Sequence, residues 1–219
     1  MTEPGLTVLV AARDEAPRIA RTVAVLREAF PEAEIVVADD GSRDETASVA
    51  ADAGARVVSL PRRGKGQALA LAERACREGP LLLCDADLVG DLRPLVEDDA
   101  DLAVARFARR AGGGLGLAKA VARSLIELRG WRRVEEPLSG QRALSARARA
   151  EVFPVAAGFG VETRMTIDAL RAGLDVREAD GRDRGHRRKR DADGDADEGQ
   201  SQAAEAPRLW GDRREQQVA

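Results

Sequence analysis

Short apolar runs alternate with helix-like stretches through the first hundred residues, and this alternation is the strongest signal in the chain. Leu6 to Ala11 has the length and branching of a buried strand. Asp14 and Glu15 precede Pro17, a start signal for a helix reaching about Phe30. Glu34 to Ala38 reads as a second strand, and the helix predicted from about Asp44 is stopped by Gly54. Arg56 to Leu60 is a third strand, Gly66 to about Glu78 a third helix, and Leu81 to Cys84 a fourth strand, wholly apolar. Strands separated by helices predict an α/β fold with a mostly parallel sheet covered on both faces.

The pattern is weaker further on. Asp101 to Ala105 predicts another strand, Ala111 to Gly114 a break, and Leu117 to Leu128 a helix by its apolar spacing. A helix over Gly160 to Leu170, stopped by Gly173, and a short strand near Leu174 to Val176 complete the ordered part. From about Arg187 charges dominate, then Gln and Ala, a composition that predicts disorder. The expected organisation is one α/β domain. Its larger first part spans residues 1–105, a smaller second region 106–186, and a charged tail 187–219.

Composition narrows the function. The 219 residues include 44% hydrophobic types, enough for a sizeable core. The charges nearly cancel, at a net -3, which argues against a general nucleic-acid binder. Aromatics are only 3% and tyrosine is absent, a poor basis for stacking sugars on aromatic faces. Neither signal-peptide pattern nor apolar run of membrane-spanning length is present, and Cys76 and Cys84 lack zinc-type spacing, so a reduced, cytoplasmic setting is expected.

The placement of acids carries the functional argument. Asp14 and Glu15 follow the first strand, Asp39 and Asp40 end the second, and Asp85 and Asp87 end the fourth. Parallel strands share a direction, so these carboxylates are predicted to gather along the edge where open α/β sheets bind ligands. Asp85-Ala86-Asp87 is the sharpest element. D-x-D occurs five times, at 85, 99, 191, 193 and 195, yet only the first follows an apolar strand on that edge. Such a pair suits a divalent cation, manganese or magnesium, that would neutralise a departing diphosphate. The loop Arg62 to Gln67 adds glycines and Lys65 ahead of a helix, an arrangement that favours an anion without the Walker A spacing.

Other candidates are less defined. His186, the single histidine, lies among basic residues and reads either as a solvated side chain or as a further metal ligand. Glu162 opens a predicted helix, where it serves the helix dipole or binds sugar or acceptor, with a role as base left open. The acidic run Asp191 to Glu198 fails the calcium-loop pattern at its sixth and twelfth positions, Ala196 and Gln202.

Taken together, these motifs resemble the GT-A glycosyltransferases of the family 2 type. Val8 to Glu15 is similar to that family's first strand and nucleotide turn, Ala38 to Thr46 to its V-D-D-G-S-x-D-x-T signature, and Asp85 to Asp87 to its D-x-D. Arg63 to Leu69, Pro137 to Gln141, Gly158 to Glu162 and His186 to Arg188 resemble motifs of the glucosyl-3-phosphoglycerate synthases and their mannosyl relatives. The resemblance implies a transferase that takes a sugar from a UDP- or GDP-linked donor to a phosphorylated small molecule such as 3-phosphoglycerate or to a polyprenyl phosphate. By the same resemblance Ala12, Glu15, Asp40, Lys65, Asp85 and Ala86 bind the nucleotide sugar. Asp85, Asp87 and His186 hold the cation, and Lys65 and Glu162 serve catalysis. Arg188 and Gln141 depart from the synthase pattern, which leaves acceptor and stereochemistry open, and a homodimer is left open too. A related nucleotidyltransferase would want a glycine-rich turn where Ala11 to Pro17 has none; a non-catalytic nucleotide-sugar binder is the other alternative.

Overall fold

The computed structural model describes residues 5–88, 90–106, 116–130, 132–155 and 160–180. Among them, strands β1 (Thr7–Ala12), β2 (Glu34–Asp39), β3 (Arg56–Ser59) and β4 (Leu81–Asp85) alternate with helices α1 (Ala16–Ala29), α2 (Thr46–Asp52) and α3 (Lys65–Glu73). Then come α4 (Arg93–Glu97), β5 (Leu102–Arg106), α5 (Gly116–Gly130), β6 (Arg142–Leu144), α6 (Ala146–Val152), α7 (Val161–Arg171) and β7 (Val176–Asp180).

The strands form one sheet in the order β3-β2-β1-β4-β6-β5-β7. All pairings are parallel except those of β6, which runs antiparallel to both β4 and β5. Chain order reverses between β1 and β4, so their carboxyl ends flank the switch point where such sheets bind ligands. Alternation along β1 splits the core. Val8 and Val10 face the α1 side with Ile19, Val23 and Leu26, while Leu9 faces the α3 and α7 side with Leu69 and Met165.

Several elements differ from the pattern-based expectation. Helix α3 stops at Glu73 rather than about Glu78, because Ala75 and Cys76 turn back to bond the carbonyls of Ala72 and Glu73. The last strand is β7 at Val176–Asp180, shifted beyond Leu174; Leu174 instead packs into the core and Asp175 bonds Asp101. Elements α4, α6 and β6 are additions. The tail expected to be disordered lies outside the described residues, as does His186. Both cysteines are free thiols, Cys84 buried in β4 and Cys76 half-buried beyond α3. Burial pushes both thiols upward, Cys76 to about 11, so neither is a ready nucleophile. Among the described residues no helix is long and apolar enough to cross a membrane.

Candidate active site at the switch point

The turn after β1 and the segment after β2 are stitched together by side chains. Asp14 donates its backbone N–H to Ser42 Oγ at 3.0 Å and accepts from Arg43 N–H at 2.7 Å. Glu15 N–H donates to Thr46 Oγ1 at 2.8 Å, and Ala16 N–H to Asp44 at 3.1 Å. Ser42 in turn donates to Asp39, and Thr46 to Asp44. Much of the acidic signature thus serves to hold the first turn of α1 in place. Glu15 itself remains half-buried and pairs with Arg18 at 2.7 Å.

Asp40 is buried, and its carboxylate accepts the backbone N–H groups of Arg63 and Gly64 at 2.6 and 2.9 Å. These bonds fold the loop that delivers Lys65 to the start of α3. Gly41 makes the fold possible: its φ is +67°, and a Cβ would lie 2.7 Å from Arg62 N, so neither backbone nor space admits another residue.

Lys65 is the centre of the arrangement. Its Nζ lies 2.7 Å from Asp85 Oδ1 and 2.7 Å from Glu162 Oε1, bringing together residues from α3, β4 and α7. Burial disfavours the Lys65 ammonium, but Asp85 and Glu162 together outweigh it and hold its pKa above the ordinary value. For Glu162 burial works upward, yet the Lys65 charge and hydrogen bond prevail and hold it below the ordinary carboxylate value. Both groups are therefore charged at neutral pH, and Glu162 is a weak proton acceptor in this state.

The turn carrying Asp85, Ala86 and Asp87 is supported from α1: buried Thr22 donates its hydroxyl to the Ala86 carbonyl at 2.6 Å. Asp87 is exposed and makes no hydrogen bond among the described residues, and Ala12 is buried at the end of β1. On the far side Gly140 presses against Asp85, where a Cβ would run into the carboxylate. The carboxyl edge thus brings together Ala12, Glu15, Asp40, Lys65, Asp85, Ala86, Asp87 and Glu162; His186 is the one sequence-predicted site residue outside the described chain.

Sequence reasoning missed Arg142. Fully buried within β6, it donates to the carbonyls of Ser139 at 2.8 Å and Pro137 at 3.0 Å and to Thr166 Oγ1 at 2.7 Å. Thr166 passes the link to the Glu162 carbonyl at 2.9 Å. One cation therefore fastens the Gly140 loop and the helix bearing Glu162 at once. Burial pulls its pKa down to about 10, with Glu162, Glu178 and Asp85 opposing, so it stays protonated at neutral pH. Nothing in the sequence around it, Ser139 to Ser145, marks this arginine as buried.

A divalent cation has a reasonable but incomplete donor set here. Asp85 and Asp87 offer the hard oxygen ligands that manganese and magnesium prefer. Among the described residues, however, no group of three His, Cys, Asp or Glu side chains is placed to hold a metal.

Comparison with known proteins gives a consistent result. The description Glycosyl transferase family 2 matches residues 7–126. A glucosyl-3-phosphoglycerate synthase of Mycolicibacterium paratuberculosis is 33% identical, over 79% of this chain and 67% of the relative. Glycosyltransferase AglJ of Haloferax volcanii is 30% identical, over 79% and 61%. The crystal structure of the Mycobacterium tuberculosis glucosyl-3-phosphoglycerate synthase with manganese, uridine diphosphate and glucosyl-3-phosphoglycerate superposes with a TM-score of 0.68. It is 27% identical, over 82% of this chain and 71% of that one. The chain spans only 53% to 67% of the length of the curated synthases it matches. Among the solved relatives the GT-A sheet is the shared architecture.

Proposed function

The chain belongs to glycosyl transferase family 2, and from that premise we propose that it moves a glycosyl group from a uridine-diphosphate sugar to a phosphate-bearing acceptor. The observation that carries this reading is Lys65, held between Asp85 and Glu162 at the carboxyl ends of the sheet. An ammonium kept charged at a ligand-binding edge is suited to a diphosphate leaving group. The donor and acceptor classes come from the relatives, since one was solved with manganese, uridine diphosphate and a sugar-phosphoglycerate product. A phosphorylated small molecule such as 3-phosphoglycerate and a polyprenyl phosphate are both acceptors of that class.

In this reading Glu15, Asp40 and the Ala12 backbone bound the nucleoside pocket, with Asp40 acting through the 63–64 loop it fastens. Asp85 and Ala86 lie against ribose and diphosphate. Asp85 and Asp87, with His186, would hold a divalent cation, which when bound would offset charge on the diphosphate. Lys65 leaves its carboxylate partners for the diphosphate and stabilises the charge that grows as the glycosidic bond breaks. Glu162 then orients donor sugar hydroxyls as a hydrogen-bond acceptor. Acceptor oxygen attacks the anomeric carbon and loses its proton to solvent or to the departing phosphate.

A thermal-shift panel of UDP, GDP and their glucose and mannose conjugates, each with and without manganese, tests the reading. UDP with manganese should raise the melting temperature more than either alone, and labelled UDP-glucose should be turned over. A chain that no nucleotide stabilises, with or without the metal, is not this enzyme.

A further inference from the structure

Among the described residues, four of the five large apolar side chains that stand exposed belong to α5: Leu117 at 80%, Val121 at 51%, Leu125 at 39% and Leu128 at 74%. Their spacing of four, four and three puts them on one helix face. The opposite face carries Ala122 and Ile126, and Ile126 packs with Val134, Ile167 and Leu170. Helix α7 in turn packs on the sheet through Val161, Met165 and Ala169. Helix α5 is therefore a layer outside α7, and its leucine stripe faces away from the protein. An outermost helix of a globular domain ordinarily turns polar residues outward; here an aliphatic stripe runs over about 16 Å of axis beside the exposed Ser124, Glu127 and Arg129.

The stripe ends in positive charge. Arg129, Arg132 and Arg133 follow Leu128 closely, and Arg171 of α7 reaches the same end, donating to the Arg129 carbonyl at 3.3 Å. Only Arg132 has an acidic partner among the described residues, Asp175 at 3.9 Å. Glu127 is the one acid of α5 itself, against Lys119, Arg123 and Arg129. The whole chain is net negative at -3, so this excess is local.

We propose that α5 docks on an anionic lipid bilayer, its aliphatic stripe entering the boundary between headgroups and acyl chains while the arginines meet lipid phosphates. Purely aliphatic contact beside unpaired arginines is the chemistry of an interfacial helix. A second copy of the chain is the poorer occupant. Four partly exposed side chains supply at most a few hundred Å² of apolar area, whereas a stable interface needs about 800 Å² from each partner. From Leu117 to Leu128 the stripe also carries no aromatic anchor of the kind that dominates protein interfaces. Because the chain runs from the end of α5 at Gly130 to Gly140 against Asp85, docking would tether the candidate site to the lipid surface. On the transferase reading, that favours an acceptor phosphate carried by a lipid.

Co-sedimentation of the full chain with vesicles tests the docking without reference to turnover. The protein should pellet with equal parts phosphatidylglycerol and phosphatidylcholine, and less with phosphatidylcholine alone or at high salt. Leu117→Ser with Leu128→Ser should lower partitioning at least about tenfold, and Arg129→Gln with Arg133→Gln should remove the preference for the anionic lipid. All four side chains lie outside the core, so unchanged melting of the variants confirms an intact fold. A wild-type chain that stays in the supernatant with both vesicles overturns the proposal, as does binding that survives the serine pair. A dimer in sedimentation velocity that the serine pair disperses, without vesicle binding, assigns the stripe to self-association instead. Failure of any of these leaves the transferase reading standing, because UDP and manganese binding are read separately.

Discussion

In the half of the sheet built by β1, β2 and β4, the strand interiors are apolar and, apart from Glu34 at the amino end of β2, acids wait until the carboxyl end. In the half built by β5, β6 and β7, charge enters the strands themselves. Arg142 lies fully buried in β6, and Arg106 at the end of β5 pairs with Asp180 of β7 at 2.7 Å. The first half separates core from chemistry, so polarity there marks the site. The second half uses charge as scaffold, and its ion pairs say little about where a ligand binds. Lys65 and Arg142 condense the contrast: both are cations near Asp85 and Glu162, but Lys65 remains partly open to solvent whereas Arg142 is sealed in and spends its hydrogen bonds on backbone and Thr166.

Substitutions can break that contrast, and the largest effect is expected at Lys65. Lys65→Gln should lower glycosyl transfer about 10²- to 10³-fold, the scale of removing one charge-stabilising donor, while the urea midpoint moves little. If transfer and midpoint fall together, Lys65 is scaffold as well. Arg142→Met should do the reverse. Unpairing two carbonyls and Thr166 costs about 3 kcal/mol, measured by urea unfolding, and an unchanged midpoint would deny the arginine its structural role. Thr22→Val sharpens the comparison from the α1 side, with a loss of about 1 kcal/mol and a weaker effect of manganese on nucleotide binding in calorimetry.

The smallest effect is a pH signature. Because Glu162 is held below its ordinary 4.5, its contribution is present above that pH and fades as acid passes its lowered value. Because Lys65 is held above its ordinary 10.5, its contribution is complete below that pH and fades as alkali passes the raised value. The stability difference between wild type and Lys65→Gln should therefore be level through neutral pH up to about 10.5 and narrow on both sides, the acid side beginning where the buried Glu162 of the variant, freed of Lys65, takes up a proton. A difference that already changes between pH 6 and 8 would contradict the ion-paired arrangement.

How far the sequence could be read follows the same division. The strands from β1 to β5 and the helices α1 and α2 were legible because apolar runs ended in acids, glycine or proline. The gathering of Asp40, Lys65 and Asp85 followed from strand direction alone. That Asp39, Ser42, Asp44 and Thr46 bind the α1 turn was hidden, since a run of polar residues looks the same whether it holds a ligand or a neighbouring loop. Strand β6 was illegible: three residues with a charge at their head show neither alternation nor an apolar run. Strand β7 was misplaced because Arg177, Glu178 and Asp180 are satisfied by ion pairs and backbone amides across the sheet rather than by burial. The helix of residues 116–130 was legible as a helix, but its periodicity could not say which of its two apolar faces would turn inward.

Gly140 shows how little added material the site would bear. Its backbone would tolerate alanine, yet one added carbon would fall on the carboxylate that grips Lys65. In a saturation library this codon should behave as monomorphic for function while its neighbours Ser139 and Gln141 drift, so the omission of a methyl group would be under stronger purifying pressure than most side chains around it.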